Sequence, residues 1–368
     1  MHAVSVLKKA LPRALAIGGI GLLGLGAGNA VAQKVDYSGK RILMTVPFAP
    51  GGGTDVYVRA LQPFLEKHLP GQPTIIVLNV PGSRSIPGAN RFEERATTDG
   101  THAIAVSATT VGSFVFDRDK IKYKLDKWEP VILSPQGAVT YITPSVGVKT
   151  AADLKKILKT QLVFGGQAPI GSEARTIMPL DLLGLNVKYV WGMNRGPVRL
   201  AFERRELTIN YDSMPGYLNS AIKLVKAGKA IPLYSMGITD NKGALIRDPN
   251  VPDLPHFGEV FEMVHGKKAS GPGFDAWLSV NKMLTMANKG IFLPAGTPKP
   301  ILDAWRKAFV DILKDPEFQK HAAKVIEGYP SFIGDDAKPI IKDATTFSPE
   351  AWAWLKQYFK KEHNVTLK

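Results

Sequence analysis

The sequence predicts an α/β protein built as two lobes on a single chain. Apolar β-type runs alternate with helical periodicity along most of its length, the pattern of βαβ units and a largely parallel sheet. Its 368 residues exceed one compact core and suffice for two. No linker or short repeat cuts the chain into independent modules. Hydrophobic residues make up 45% and charged ones 21%, which excludes disorder.

The N-terminal segment reads as an export signal. Lys8, Lys9 and Arg13 stand in Met1–Ala32 without an acidic residue, an apolar run extends from Ala14 to about Gly26, and Ala30-Val31-Ala32 forms an A-x-A site. The run is about 13 residues, whereas a membrane span needs ~20. Cleavage after Ala32 and a periplasmic location are therefore expected. Removal of the three basic residues lowers the formal charge from +15 to +12. The chain has no Cys, which excludes a disulfide framework, thiolate chemistry and a lipid-anchored N-terminal Cys.

Arg41–Pro47 is a strand that runs into Phe48-Ala49-Pro50-Gly51-Gly52-Gly53-Thr54-Asp55. Val56, Ala60, Leu61 and Phe64-Leu65 then recur at helical spacing, with Thr54 or Asp55 as N-cap. Thr74–Asn79 is a second strand entering the loop Val80–Ala89, and Asp99-Gly100 turns the chain into a third at His102–Ser107. A second set follows, with strands at Val139–Thr143, Leu162–Gly166, Val187–Trp191, Leu207–Tyr211 and Ile231–Met236. Helices are expected at Glu173–Leu183 and Tyr217–Lys226. Leu302, Trp305, Ala308, Phe309 and Ile312 make one face of a helix at Pro300–Lys314, and another helix covers Ser348–Lys361.

Gly51-Gly52-Gly53 brings the backbone close to a ligand and aims N–H groups at it from a helix start. Such a terminus favours an anion, because unpaired donors and the helix dipole act together. It is not a Walker loop, since Thr54-Asp55 follows instead of Gly-Lys-Ser/Thr, and a plain structural turn is the remaining alternative. Arg84 in the second loop offers either a fork for a carboxylate or a solvated surface cation. Gly171-Ser172 opens a third candidate terminus. Asp212 after an apolar strand either lines a cleft or caps a turn, and Tyr189 and Trp191 read more readily as core than as a ligand stack. No G-x-S-x-G elbow appears, and the seven histidines show no metal-binding spacing, so neither a cofactor nor a metal is expected. Lys and Arg are scattered, without a recognition motif, which argues against nucleic acid and for steering of small anions.

At these loops the chain resembles a family. Val46–Asp55 with Arg59 is similar to the hallmark of the TctC/Bug-type extracytoplasmic solute receptors of tripartite tricarboxylate transporters. Asn79-Val80-Pro81-Gly82 with Gly88-Ala89 resembles their second loop, and Thr98-Asp99-Gly100-Thr101 a later turn. Arg247-Asp248-Pro249, Val251–Pro255 with Glu259, Leu293–Pro298 and Asp315-Pro316-Glu317 follow in the family's order, across about Arg41–Pro330.

The resemblance implies a type II periplasmic-binding-protein fold with a ligand cleft between two α/β lobes. Lobe one would comprise 33–137 plus 239–368, and lobe two 138–238. It implies a non-enzymatic receptor, expected as a monomer, that closes on a small organic carboxylate and delivers it to the membrane subunits of the transporter. A sensory receptor, or an enzyme on the same fold, is the alternative. The implied ligand contacts are Phe48, Ala49, Pro50, Gly51, Gly52, Gly53, Thr54, Asp55, Gly82, Ser83, Arg84, Ser85, Ser107, Ala108, Thr109, Gly171, Ser172, Trp191, Gly192 and Asp212. The chain departs from the family pattern at Ser83-Arg84-Ser85, at Trp191–Gly196, and in a longer Val264–Lys289 stretch expected to carry an extra helix.

Overall fold

Ile42, Met44 and Val46 are fully buried on one face of β1 (Arg41–Val46), the period-2 signature that makes this run a strand. The computed structural model describes residues 34–240, 243–321, 326 and 328–368, so the expected export signal lies outside the described residues. The chain continues through β2 (Thr74–Asn79), β3 (His102–Val106) and β4 (Glu129–Ser134). It then crosses to β5 (Ala138–Ile142), β6 (Leu162–Gly165), β7 (Val187–Val190), β8 (Ile209–Ser213) and β9 (Ile231–Ser235). It returns through β10 (Ile238–Thr239), β11 (Leu245–Ile246), β12 (Lys289–Leu293) and β13 (Phe332–Ile333).

Six strands form one sheet in the order β13-β4-β12-β3-β1-β2. Strand β1 pairs in parallel with β2 and β3, whereas β12 and β13 enter antiparallel from the far end of the chain. The second lobe holds an antiparallel set, β8-β5-β9, and the parallel pair β6-β7. The sheets are thus mixed rather than largely parallel. Strand type alone does not reveal direction when the partner arrives from 150 or more residues away, as β12 does on β4.

One apolar core lies between the six-stranded sheet and the helices Gly53–His68 and Lys299–Lys314, where Leu302, Trp305, Ala308, Phe309 and Ile312 are all buried as their spacing predicts. A second fills the far lobe around Tyr141, Phe202 and Tyr217. The largest joins residues of both lobes, from Phe92 and Val106 to Phe164 and Ile177, through Trp277 and Leu284. No helix among the described residues is long and apolar enough to cross a membrane.

Three local expectations change. The first helix is capped by Gly52, not by Thr54 or Asp55, and begins at Gly53. The second loop is shorter than read, because a helix at Ile86–Arg95 starts inside it, with Pro87 in the first turn where its missing N–H costs nothing. The Val264–Lys289 stretch carries a helix at Pro272–Met286.

Trp305 is fully buried and its indole N–H donates to the Gly100 carbonyl at 3.3 Å. Trp305→Ala should cost about 3–5 kcal/mol through cavity formation. Urea denaturation checks this, and a loss below 1 kcal/mol would remove Trp305 from the core of lobe one.

Candidate ligand-binding site

The glycine-rich loop lies at the C-terminal edge of the parallel strands, where open α/β sheets bind ligands. Gly51 takes a φ of +76°, a left-handed value that favours glycine. No side chain caps the helix Gly53–His68, so the first N–H groups of its opening turn are available to an anion.

Asp55 holds this loop in shape. It accepts from the Gly51 N–H at 2.8 Å, from Arg59 Nε at 2.9 Å and from Asn79 Nδ2 at 2.9 Å. Asn79 also donates to the Phe48 carbonyl at 2.9 Å, which ties the loop to the end of β2. Expected as a ligand contact, Asp55 is instead a buried brace whose oxygens are already engaged. Burial pushes its carboxyl up, but the bonds from Arg59, Gly51 and Asn79 outweigh burial and hold it below its ordinary 3.8.

Lys289 adds a charge that the sequence did not reveal. It is only 8% exposed and donates to Thr54 Oγ1 at 3.2 Å, beside the same helix start. Strand β12 runs antiparallel to β3, so its first residue falls at the ligand edge. That placement depends on a pairing between distant segments, and no local motif marks it.

The second loop is conformationally strained. Gly82, Ser83, Arg84 and Ser85 all have positive φ, at 124°, 36°, 52° and 73°. Three successive non-glycine residues there cost on the order of 1 kcal/mol or more each, a pattern concentrated at ligand clamps. Gly88 lets this loop meet the first, since a Cβ there would lie 2.6 Å from Pro47 Cβ. The Arg84 guanidinium pairs through Nη2 with the buried Asp117 rather than standing free as a fork. Its Nε and the Ser85 hydroxyl are buried without a protein partner.

Ser107 caps the helix Ala108–Phe116 by accepting from the Thr109 N–H at 3.1 Å, so its hydroxyl serves the cap first. That helix touches the third loop, where a Cβ on Gly112 would sit 3.3 Å from Gly171 Cα. A Cβ on Gly171 would in turn lie 3.7 Å from Arg84 Cδ. Arg84, the Ala108 helix and Gly171-Ser172 are therefore brought together. Ser172 donates to the buried Glu173 at 2.9 Å.

In lobe two, Trp191 stacks on Tyr189 at 5.5 Å and meets Phe164 edge-on, and the Gly192 N–H donates to the Gln167 carbonyl at 3.2 Å. Asp212 is not open to a cleft. Arg199 takes both its oxygens, at 2.6 and 3.0 Å, and the Tyr141 hydroxyl donates to it at 2.8 Å. Two further arginines escaped the sequence reading. Arg175 and Arg195 lie 5.7 and 4.0 Å from the centre of the Tyr211 ring, and Arg175 Nε and Arg195 Nη1 are buried without a partner. Burial lowers the pKa of Arg175. Among the described residues no cluster of His, Asp or Glu has the makings of a metal site. A cavity of about 500 Å³ lies elsewhere, behind the crossing segments at Pro135 and Ile238, with mostly apolar walls and none of the glycine loops.

The periplasmic binding protein BugD superposes with a TM-score of 0.61 at 22% identity, covering 86% of this chain and 97% of that one. The fold is that of the TctC/Bug-type periplasmic receptors. MatC from Rhodopseudomonas palustris, with bound malate, gives a TM-score of 0.60 at 21% identity over 83% of this chain and 96% of that one. In sequence, a UPF0065 protein of Bordetella pertussis is 26% identical over 282 residues, 74% of this chain and 76% of that protein. No family model matches the chain. The TctC/Bug resemblance read from the loops thus holds in the fold.

Two variants test the loops. A carboxyl held low stabilises the fold fully above its unfolded value and loses that contribution as pH falls through its folded value. Wild-type stability should therefore drop below about pH 4 more steeply than that of Asp55→Asn. Parallel pH–stability curves would contradict the brace. Arg84→Ala should leave Asp117 with only the Lys120 ammonium at 3.8 Å and cost about 2 kcal/mol by urea denaturation, and no loss would contradict a stabilising pair.

Proposed function

We propose that the protein is a periplasmic solute-binding protein that captures a small carboxylate-bearing organic anion and delivers it to a tripartite tricarboxylate-type transporter. The carrying observation is the uncapped helix start at Gly53, with the buried Lys289 ammonium beside it. Backbone donors, a helix dipole and a cation converge there, which is chemistry for an anion and not for bond breaking. The malate bound by MatC supports a carboxylate. The carboxylates of Asp55 and Asp212 are spent on structural pairs, which favours binding over acid–base catalysis.

In this reading the first and second loops, Phe48–Thr54 and Gly82–Ser85, hold one carboxylate, while Thr109, Gly171, Ser172 and Trp191 border the rest of the ligand. Lobe one spans 33–137 plus 239–368 and lobe two 138–238, and the chain acts after export and cleavage at Ala32.

A thermal-shift screen of mono-, di- and tricarboxylates should find at least one that raises Tm, because a ligand bound only by the folded state stabilises it. For that ligand, Lys289→Met should weaken binding by about 1.5–3 kcal/mol in calorimetry. No stabilisation by any carboxylate would contradict the proposal.

A further inference from the structure

Tyr211 on β8 is buried, and two arginines from different elements meet at its ring. Arg195 opens the helix Arg195–Glu203, and its guanidinium carbon stands 4.0 Å from the ring centre. Arg175, on the helix Ala174–Leu182, stands at 5.7 Å. The pull of an aromatic ring on a cation accounts for either contact singly. Two like charges at one ring repel each other. Burial first, and the nearby Arg195 after it, lower the pKa of Arg175.

The two cations outnumber the carboxylates around them. Arg175 is 2% exposed, and its Nη1 donates only to the neutral Gln136 and Leu284 carbonyls, at 3.3 and 3.0 Å. Arg195 Nη2 donates to Asn210 Oδ1 at 2.8 Å and to the Tyr211 carbonyl. Arg175 Nε and Arg195 Nη1 are buried without a partner among the described residues. Asp212 lies 4.0 Å from Arg195 Nη2, but Arg199 already takes both its oxygens and Tyr141 donates to it. The buried Glu173 accepts from the Gln167 N–H at 3.3 Å and from the Ser172 hydroxyl at 2.9 Å. Burial raises the pKa of the Tyr211 phenol and Glu173 adds to the rise, while Arg195, Arg175 and Ser172 oppose it, so these side chains gather near one hydroxyl.

A buried cation in excess of its counter-charges is costly, and a buried N–H without an acceptor calls for one. Two guanidinium charges near the single charge of Glu173 leave room for one more anion. The location says whose it is. Ser172 connects Tyr211 to Gly171, where a Cβ would lie 3.7 Å from Arg84 Cδ in the second loop. Arg84 Nε and the Ser85 hydroxyl are also buried without a partner. Unsatisfied donors thus stand on both sides of the Gly171-Ser172 turn, one pair in the second loop and one pair at Tyr211. The Arg195 side chain keeps 29% of its surface exposed, so a ligand can reach it.

We infer that Arg195, backed by Arg175, receives a second carboxylate of the ligand, so that the protein takes dicarboxylates in preference to monocarboxylates of the same length. This rests on the receptor reading and names the ligand class for it. The planar guanidinium fork suits a carboxylate, and both arginines stay charged at any physiological pH. A monocarboxylate that fills only the glycine loops leaves these donors unpaired, and selectivity follows from that loss.

Calorimetry on the whole protein with matched acids tests this: succinate against butyrate, glutarate against pentanoate, adipate against hexanoate. In at least one pair the dicarboxylate should bind about thirtyfold tighter or more. Arg195→Met should weaken that dicarboxylate at least about tenfold and leave its monocarboxylate within about twofold. Arg195→Lys, which keeps the charge and loses the fork, should fall between, and it carries the comparison if Arg195→Met does not fold. Equal affinity within every pair would overturn the second subsite and leave the receptor reading standing. So would a variant that loses both members of a pair equally. Binding of none of the six acids would overturn the subsite, and the wider thermal-shift screen then decides the receptor reading separately.

Discussion

The contact on which the site depends is the Asp55 carboxylate closing on the Gly51 N–H. By taking that donor, together with Arg59 and Asn79, it satisfies the loop from within and leaves the helix start behind it unsatisfied. The loop is rigid because its own polar groups are paired, and receptive because the next N–H groups are not. A negative residue thus shapes a helix start with open N–H groups by being fully engaged. Lys289 donates to Thr54 Oγ1 beside the same point.

The rest of the molecule presents a second rigid surface to that point. The strained turn at Ser83–Ser85 is held by the Arg84–Asp117 pair and by Ser113 Oγ donating to the Arg84 carbonyl at 3.1 Å. Its closeness to Gly171 places lobe-two backbone against lobe-one loops.

Much of this was legible in the amino-acid sequence, and what was not has physical reasons. The face formed by Leu302, Trp305, Ala308, Phe309 and Ile312 emerged because helical periodicity is local. The glycine loop emerged because its backbone demands are written in residue type. The direction of β12, the charge of Lys289 beside Thr54 and the arginines around Tyr211 did not, because each depends on segments far apart in the chain. Asp55 stands in the motif that carries the resemblance and Asp212 is a lone carboxylate after a strand, and neither pattern announces its partner. Arg59 and Arg199 were those partners.

Amide chemical shifts measured during titration with a stabilising carboxylate test the central claim most directly. The account predicts that the largest perturbations fall on Gly53 and Thr54, with smaller ones at Gly82–Ser85 and Gly171-Ser172. Perturbations centred instead on the apolar cavity near Pro135 and Ile238, with the Gly51–Asp55 amides unmoved, would contradict it.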